Sequence, residues 1–223
     1  MPATPTGRTK RTAAPAVRRN QLLDAAARVL VSKGLSAMTV SEVAEVAGLG
    51  KGTVYLYFDT KEALLAGLQA RYLDTLMASA GTLLSGDGGH VERLDAFLAS
   101  TVEFHVANRQ LHQVLFHESG MRDDEALQRL ADTLTSFIND GAAAGVFDVS
   151  APAFAAQFLL HGLHGVLVSF LHQPKPSPAP FIDACQSIAR QLLSVRTRAP
   201  KADGQPSTAR RTRRTAPKSI AAR

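Results

Sequence analysis

The chain has 223 residues, 45% of them hydrophobic, with no tryptophan and one cysteine, so it can bury one sizeable core and a smaller one but cannot form an internal disulfide framework. Its formal net charge of +6 sits at the ends: residues 1–19 carry +5 and residues 196–223 carry +8, leaving −7 for residues 20–195. A leader peptide and a membrane span are not expected, because the amino terminus is rich in Pro, Thr and Arg and the longest apolar run, Val166 to Leu171, is short and contains Ser169; the expected compartment is the cytoplasm.

Residues 1–16 are dominated by Ala, Pro, Thr and basic groups, with few large apolar side chains to offset the entropy of ordering, which predicts a disordered basic arm. Such an arm suits nucleic-acid phosphates or a minor groove. Further along, Thr39 followed by Glu42 is a capping box, and Met38 with Val43 is placed to form a hydrophobic staple, so a helix starts at Val40. Val40, Val43, Ala44 and Ala47 share one face, and Gly48 is suited to end the helix in the left-handed conformation. A second short helix opens after Gly50. Its first turn carries Lys51, Gly52 and Thr53, where free backbone N–H groups and small side chains admit a phosphate. Val54 and Phe58 point inward at helical spacing, leaving Lys51, Thr53, Tyr55 and Tyr57 outward, a surface suited to a groove lined by thymine methyls and phosphates. Two short helices hinged at Gly48-Leu49-Gly50 form a helix-turn-helix; the alternative is an ordinary helical hairpin with both tyrosines partly in the core. Asp59 or Thr60 then caps the next helix.

The run Ala47 to Phe58, Ala-Gly-Leu-Gly-Lys-Gly-Thr-Val-Tyr-Leu-Tyr-Phe, with Lys61 and Leu64 after it, resembles the DNA-binding domain of the TetR family of bacterial transcriptional regulators. Upstream, Leu22, Ala25, Ala26, Val29 and Leu30 followed by Gly34 resemble that family's first helix and its glycine stop, so the similarity covers residues 17–77. Gly50 departs from the family, which has a serine or acidic residue there, and removes a side-chain cap. The resemblance implies an all-α fold of about nine helices, with an N-terminal three-helix helix-turn-helix domain at 17–77 and an effector-binding and dimerisation domain at 78–195. It also implies phosphate contacts from Thr39, Tyr57 and Lys61 beside base and phosphate contacts from Lys51, Gly52, Thr53 and Tyr55.

From Glu62 onward apolar positions recur at helical spacing and no segment alternates like a strand. The fourth helix is expected from Thr60 to Leu84, stopped by Ser85-Gly86-Asp87-Gly88-Gly89. Leu94, Phe97, Leu98, Thr101, Val102 and His105 mark the fifth, and a short helix follows from Leu111 to Glu118. Asp123 or Asp124 caps the next, with a stripe of Leu127, Leu130, Ala131, Leu134 and Ile138. Ser150 with Pro152 starts a helix to His172, and a stiff segment Pro174 to Pro180 leads into the last, Phe181 to Val195. Residues 196–223 form a second disordered basic tail.

Phe97, Phe104, His105, Phe116, Phe137, Phe158 and His161 are candidates for an effector pocket, although phenylalanines at this spacing equally serve as plain core. His105, His112, His117, Glu118, His161, His164 and His172 are dense, yet their spacing forms no compact ligand motif, and neither a metal nor another cofactor is expected. Cys185 reads as a small core residue. Gly162, Gly165 and Ser169 leave a shallow face on the eighth helix, and Ile188 and Leu192 belong to a broad apolar stripe on the ninth, so a two-fold four-helix contact between two copies is the natural solution. No nucleophile motif, phosphate loop or carboxylate pair supports an enzyme. The expected function is a ligand-responsive repressor with operator DNA, a second copy of itself and an unidentified small-molecule effector as partners; the alternative is a weakly specific architectural DNA-binding protein acting through the basic tails.

Overall fold

In the computed structural model, which describes residues 14–118 and 124–195, the chain starts with helix α1 (Pro15–Ala37). Pro15 stands in the first turn, where a missing N–H has no intrahelical partner to lose. The helix therefore begins inside the segment expected to be disordered and takes in Arg18 and Arg19; the rest of that arm and the tail from residue 196 lie outside the described residues. Leu22, Leu23, Ala25, Ala26, Val29 and Leu30 are buried along one stripe. Gly34 breaks α1 at φ 78° and ψ 172°, a backbone conformation essentially reserved for glycine.

Helix α2 (Val40–Ala47) carries the expected capping box: the Glu42 N–H donates to Thr39 Oγ1 at 3.3 Å and the Thr39 N–H donates to Glu42 Oε2 at 3.1 Å. Gly48 ends it in the left-handed region at φ 66°, ψ 34°. Helix α3 (Lys51–Tyr55) follows without a side-chain cap at Gly50. Thr60 caps α4 (Lys61–Ser85), accepting from the Ala63 N–H at 3.0 Å.

The body continues with α5 (His90–Ala107), α6 (Arg109–His112), a π-helical turn Gln113–Glu118, α7 (Asp124–Ala143), α8 (Pro152–Leu171) and α9 (Pro178–Leu192); no strand occurs among the described residues. The short helix expected from Leu111 to Glu118 is thus two pieces, α6 and a π-turn whose wider winding redirects the chain. Ala151, not Ser150, is the N-cap of α8, and no side chain caps it. Helix α9 starts three residues earlier than expected because Pro178 and Pro180 fit a first helical turn, where their fixed φ is already correct, and it stops at Leu192, just before Ser194 takes a positive φ of 46°. The Asp123 cap lies outside the described residues.

Two cores result. The first joins the apolar faces of α1, α2 and α3 to Leu64, Leu65, Leu68, Tyr72 and Leu73 of α4 and to Val114 and Leu115 of the π-turn. The second joins Ala80 and Leu84 of α4 to α5, α7, α8 and α9. Asp95 on α5 holds α9 in place, accepting from Arg190 Nε at 3.0 Å while its backbone carbonyl accepts from Gln186 Nε2 at 3.0 Å.

At Gly67 a built Cβ lies 2.7 Å from Cε1 of Phe58, whose ring is 5% exposed and has little room to retreat. Gly67→Ala should therefore lower the thermal midpoint: overpacking costs about 1–3 kcal/mol, more than the ~0.8–1.0 kcal/mol that alanine gains over glycine in a helix. Melting followed by circular dichroism checks this; a raised midpoint would show that Phe58 relaxes freely.

Candidate nucleic-acid interface and buried cavity

Helix α3 is held on its inner side by Val54, 0% exposed, and by Phe58 just beyond it, against which Arg19 stacks at 5.1 Å. Gln21 Nε2 donates to the Ala47 carbonyl at 2.8 Å, tying α1 to the end of α2. With that side fixed, Lys51, Gly52 and Tyr55 are exposed and Thr53 is half-buried, and Lys51 Nζ lies 6.0 Å from the Tyr55 ring centre on the same face. Leu56, 83% exposed, extends this face and was not among the candidate residues. It follows from the pattern, since a helix that buries Val54 and Phe58 turns Leu56 outward with Tyr55.

The three positions flanking the face are more occupied than the sequence suggests. Tyr57 is half-buried against the first core. Lys61 Nζ donates to the Leu35 carbonyl at 2.8 Å, closing α4 onto the end of α1 with two of its N–H groups left over. Thr39 Oγ1 accepts from the Glu42 N–H and donates to Glu42 Oε2 at 3.0 Å, and Glu42 pairs with Lys33; the Lys33 hydrogen bond leads the contacts that hold the Glu42 carboxyl below the usual range.

A cavity of ≈390 Å³ lies between α4, α5, α7 and α8. Leucines form most of its wall, among them Leu94, Leu98, Leu130, Leu134 and Leu159, and Tyr72, Thr101, His105, His112, His161 and His164 supply its polar groups. Of the candidate pocket residues, Phe97, His105, Phe116 and His161 line it, whereas Phe104, Phe137 and Phe158 do not. Phe104 packs edge-on against Tyr72 at 4.8 Å, Phe137 joins His90 and Phe147 in the second core, and Phe158 stands 56% exposed beside Phe154. Helical spacing identifies an apolar face but not which face of the bundle is left unfilled. Tyr72, His112 and His164 complete the lining; Tyr72 was masked in the sequence by belonging to a helix whose neighbours are ordinary core.

His112 sits with its ring 5.0 Å from His105 and 5.9 Å from His164, yet among the described residues no group of three His, Cys, Asp or Glu side chains is arranged to hold a metal. The side chains of His117 and Glu118 lie outside the described residues, and Cys185 is half-buried, with its thiol pushed up by burial. Phe154, Phe158, Gly162, Gly165, Val166 and Ser169 are exposed on α8 and Ile188 is exposed on α9, while Leu192 is half-buried against the second core. Helix α8 is also long and apolar enough to cross a membrane by length and composition, with a mean hydropathy of 1.5; reading the longest unbroken apolar run overlooked this because glycines and histidines interrupt it.

Residues 22–68 match the family described as "Bacterial regulatory proteins, tetR family" and residues 87–168 match a "Tetracyclin repressor-like, C-terminal domain". The HTH-type transcriptional repressor KstR2 of Mycobacterium tuberculosis is 32% identical over 126 residues, which is 55% of this chain and 58% of that protein, so the match spans a little over half of the relative's length. The fold is shared with the fatty acid degradation regulator FadR from Bacillus halodurans at a TM-score of 0.68 and 21% identity, covering 80% of this chain and 96% of that one. It is shared also with the regulator FadR from Bacillus subtilis in complex with stearoyl-CoA, at a TM-score of 0.63 and 20% identity, covering 78% and 97%.

Burial holds the His105 imidazole below its ordinary value, an effect opposed by its hydrogen bond to the Thr101 carbonyl and reinforced by His164. The unfolded chain then takes up this proton near pH ~6.5 while the folded chain resists it, so the neutral ring's stabilisation is complete above that pH and is lost as pH falls toward the depressed folded value. Urea midpoints should drop from pH 7.5 to 5.5, and His105→Leu should flatten that slope. His90, also lowered by burial, leaves part of it in place.

Proposed function

The chain belongs to the TetR family of bacterial regulatory proteins, and from that premise we propose that it is a homodimeric transcriptional repressor that leaves its operator when a small molecule enters the cavity between α4 and α8. The main support is the outer face of α3, where Lys51, Gly52 and Tyr55 are exposed beside half-buried Thr53, with Val54 buried beneath them. Its length of five residues suits it to end-on entry into a major groove, with the first-turn N–H groups toward phosphate and Tyr55 toward base edges. Thr39, Tyr57 and Lys61 belong to the same reading as flanking phosphate contacts, Thr39 only if a phosphate oxygen replaces Glu42 at its hydroxyl. KstR2 is by name a repressor, and the B. subtilis FadR structure holds stearoyl-CoA, so regulators related to this chain or sharing its fold include one that represses and one that binds a molecule with a long acyl chain.

In this reading residues 17–77 form the DNA-binding domain and 78–195 the effector and dimer domain, although α4 runs unbroken through the boundary. The exposed apolar groups of α8 and α9, with Gly162, Gly165 and Ser169 between them, are the dimer face; a built Cβ at either glycine meets nothing within 4 Å, leaving room for a second backbone. The partner copy covers the apolar half of α8 and sets two α3 helices one DNA turn apart. Residues 20–195 carry −7, so the heads bind DNA through placed contacts, while the terminal segments add a field that is sensitive to salt and indifferent to sequence.

Tyr55→Ala should weaken operator binding by about 1–3 kcal/mol at fixed salt without changing the melting temperature. Fluorescence anisotropy on the promoter region of the neighbouring gene checks this, and unchanged affinity would remove Tyr55 from the interface.

Ile188→Asp should convert the dimer to monomer, because a carboxylate there is free in one copy and buried unpaired between two. Ile188 is the sharper probe than Leu192, which also packs into its own core. Sedimentation at micromolar concentration reads the outcome; a wild-type chain that is monomeric there sinks the dimer.

A further inference from the structure

We propose that the cavity takes an apolar molecule bearing a single hydroxyl, held between the Tyr72 hydroxyl and Nε2 of His105; the inference rests on the repressor reading for its biological role but not for its chemistry. Tyr72 is 5% exposed and lines the cavity; its hydroxyl has no hydrogen-bond partner and is itself closed off from the cavity's open space. A buried hydroxyl left in that state is costly unless something else bonds to it. His105 lies beside it, the two rings 6.1 Å apart and nearly perpendicular. Its Nδ1 is 2.8 Å from the Thr101 carbonyl, which can only accept, so Nδ1 carries the hydrogen. In the neutral ring Nε2 is then a bare lone pair, and it makes no hydrogen bond among the described residues. The Thr101 hydroxyl is already spent on the Phe97 carbonyl at 2.8 Å.

A ligand that displaces the neighbouring side chains to reach the hydroxyl therefore meets one group that donates or accepts, Tyr72, and one that only accepts, His105. A ligand hydroxyl satisfies both, accepting from the tyrosine and donating to the imidazole. A ketone satisfies the tyrosine but sets its oxygen against the His105 lone pair. A carboxylate does the same with a full charge, and among the described residues no Lys or Arg lines the cavity to neutralise it; nor, among them, does an Asp or Glu line it to receive a cation. The remaining polar groups among the described lining residues, His112, His161 and His164, are imidazoles. Leucines and phenylalanines around them take the apolar body.

The test is calorimetric titration of the full chain at pH 8 with matched probes in two frameworks: 1-decanol, 2-decanone and decanoate, and decalin-2-ol, 2-decalone and decalin-2-carboxylate. In at least one framework the alcohol should bind about tenfold more tightly than the ketone, with the carboxylate weakest. Tyr72→Phe and His105→Phe, each first shown to be folded by its thermal melt, should both erase the alcohol preference. Equal affinity for alcohol and ketone, tighter binding of the carboxylate, an unchanged preference in a folded Tyr72→Phe protein, or no binding of any probe overturns the proposal. Operator affinity is measured in parallel: an alcohol that binds with the expected preference yet leaves DNA affinity unchanged keeps the ligand chemistry and refutes the repressor reading.

Discussion

Helix α4 belongs to two cores at once. Its 25 residues span about 37 Å, and along that length Leu64, Leu65 and Leu68 are buried with α1, α2 and α3 while Ala80 and Leu84 are buried with α5, α7 and α8. Neither core is complete without its half of α4, so the small head and the larger body cannot move independently about a loose linker. The head would otherwise be marginal, since helices of eight and five residues do not persist alone in water. Thr60 at the start, the Lys61 bond to the Leu35 carbonyl and the close seat of Gly67 against Phe58 fix where α4 enters the head.

The π-turn after α6 provides a second link between the same two regions. Within a few residues of chain His112 and Phe116 line the cavity, whereas Val114 and Leu115 are buried in the head's core against α1. Tyr72 does the same from α4, belonging to the first core by its ring contacts and to the cavity by its lining. A molecule entering the cavity would thus press on side chains whose immediate neighbours hold the head. Its effect on DNA affinity can be no larger than its difference in affinity for two head positions. π-helical winding, being rarer and less stable than α, is a natural place for a segment to have a second arrangement.

Charge follows a different logic from packing. Residues 20–195 carry −7 and the terminal segments the rest, so the strongest positive charge belongs to the two ends of the sequence. Ion pairs inside the body are few among the described residues and local in purpose: Arg71 with Asp24 crosses from α4 to α1, and Arg190 with Asp95 crosses from α9 to α5. Each joins helices that apolar contacts already bring together, and at partly exposed positions such pairs contribute orientation more than stability.

What the sequence determined by itself was local. The capping box at Thr39 and Glu42, the left-handed stop at Gly48 and the inward pair Val54 and Phe58 depend on neighbours a few residues away, and each appears as the residue pattern requires. The buried stripe of α5 is likewise complete in the spacing of Leu94, Phe97, Leu98, Thr101, Val102 and His105. Tertiary structure decided what those faces meet. Phe104, Phe137 and Phe158 share helical periodicity with Phe97 and Phe116, but only the last two reach the cavity, because which apolar face remains unfilled depends on how four helices cross. The same holds for Tyr72 and for the bond from Lys61 to the Leu35 carbonyl. Periodicity is a property of one helix, whereas an empty space or an unpaired hydroxyl exists only once several helices have been placed around it.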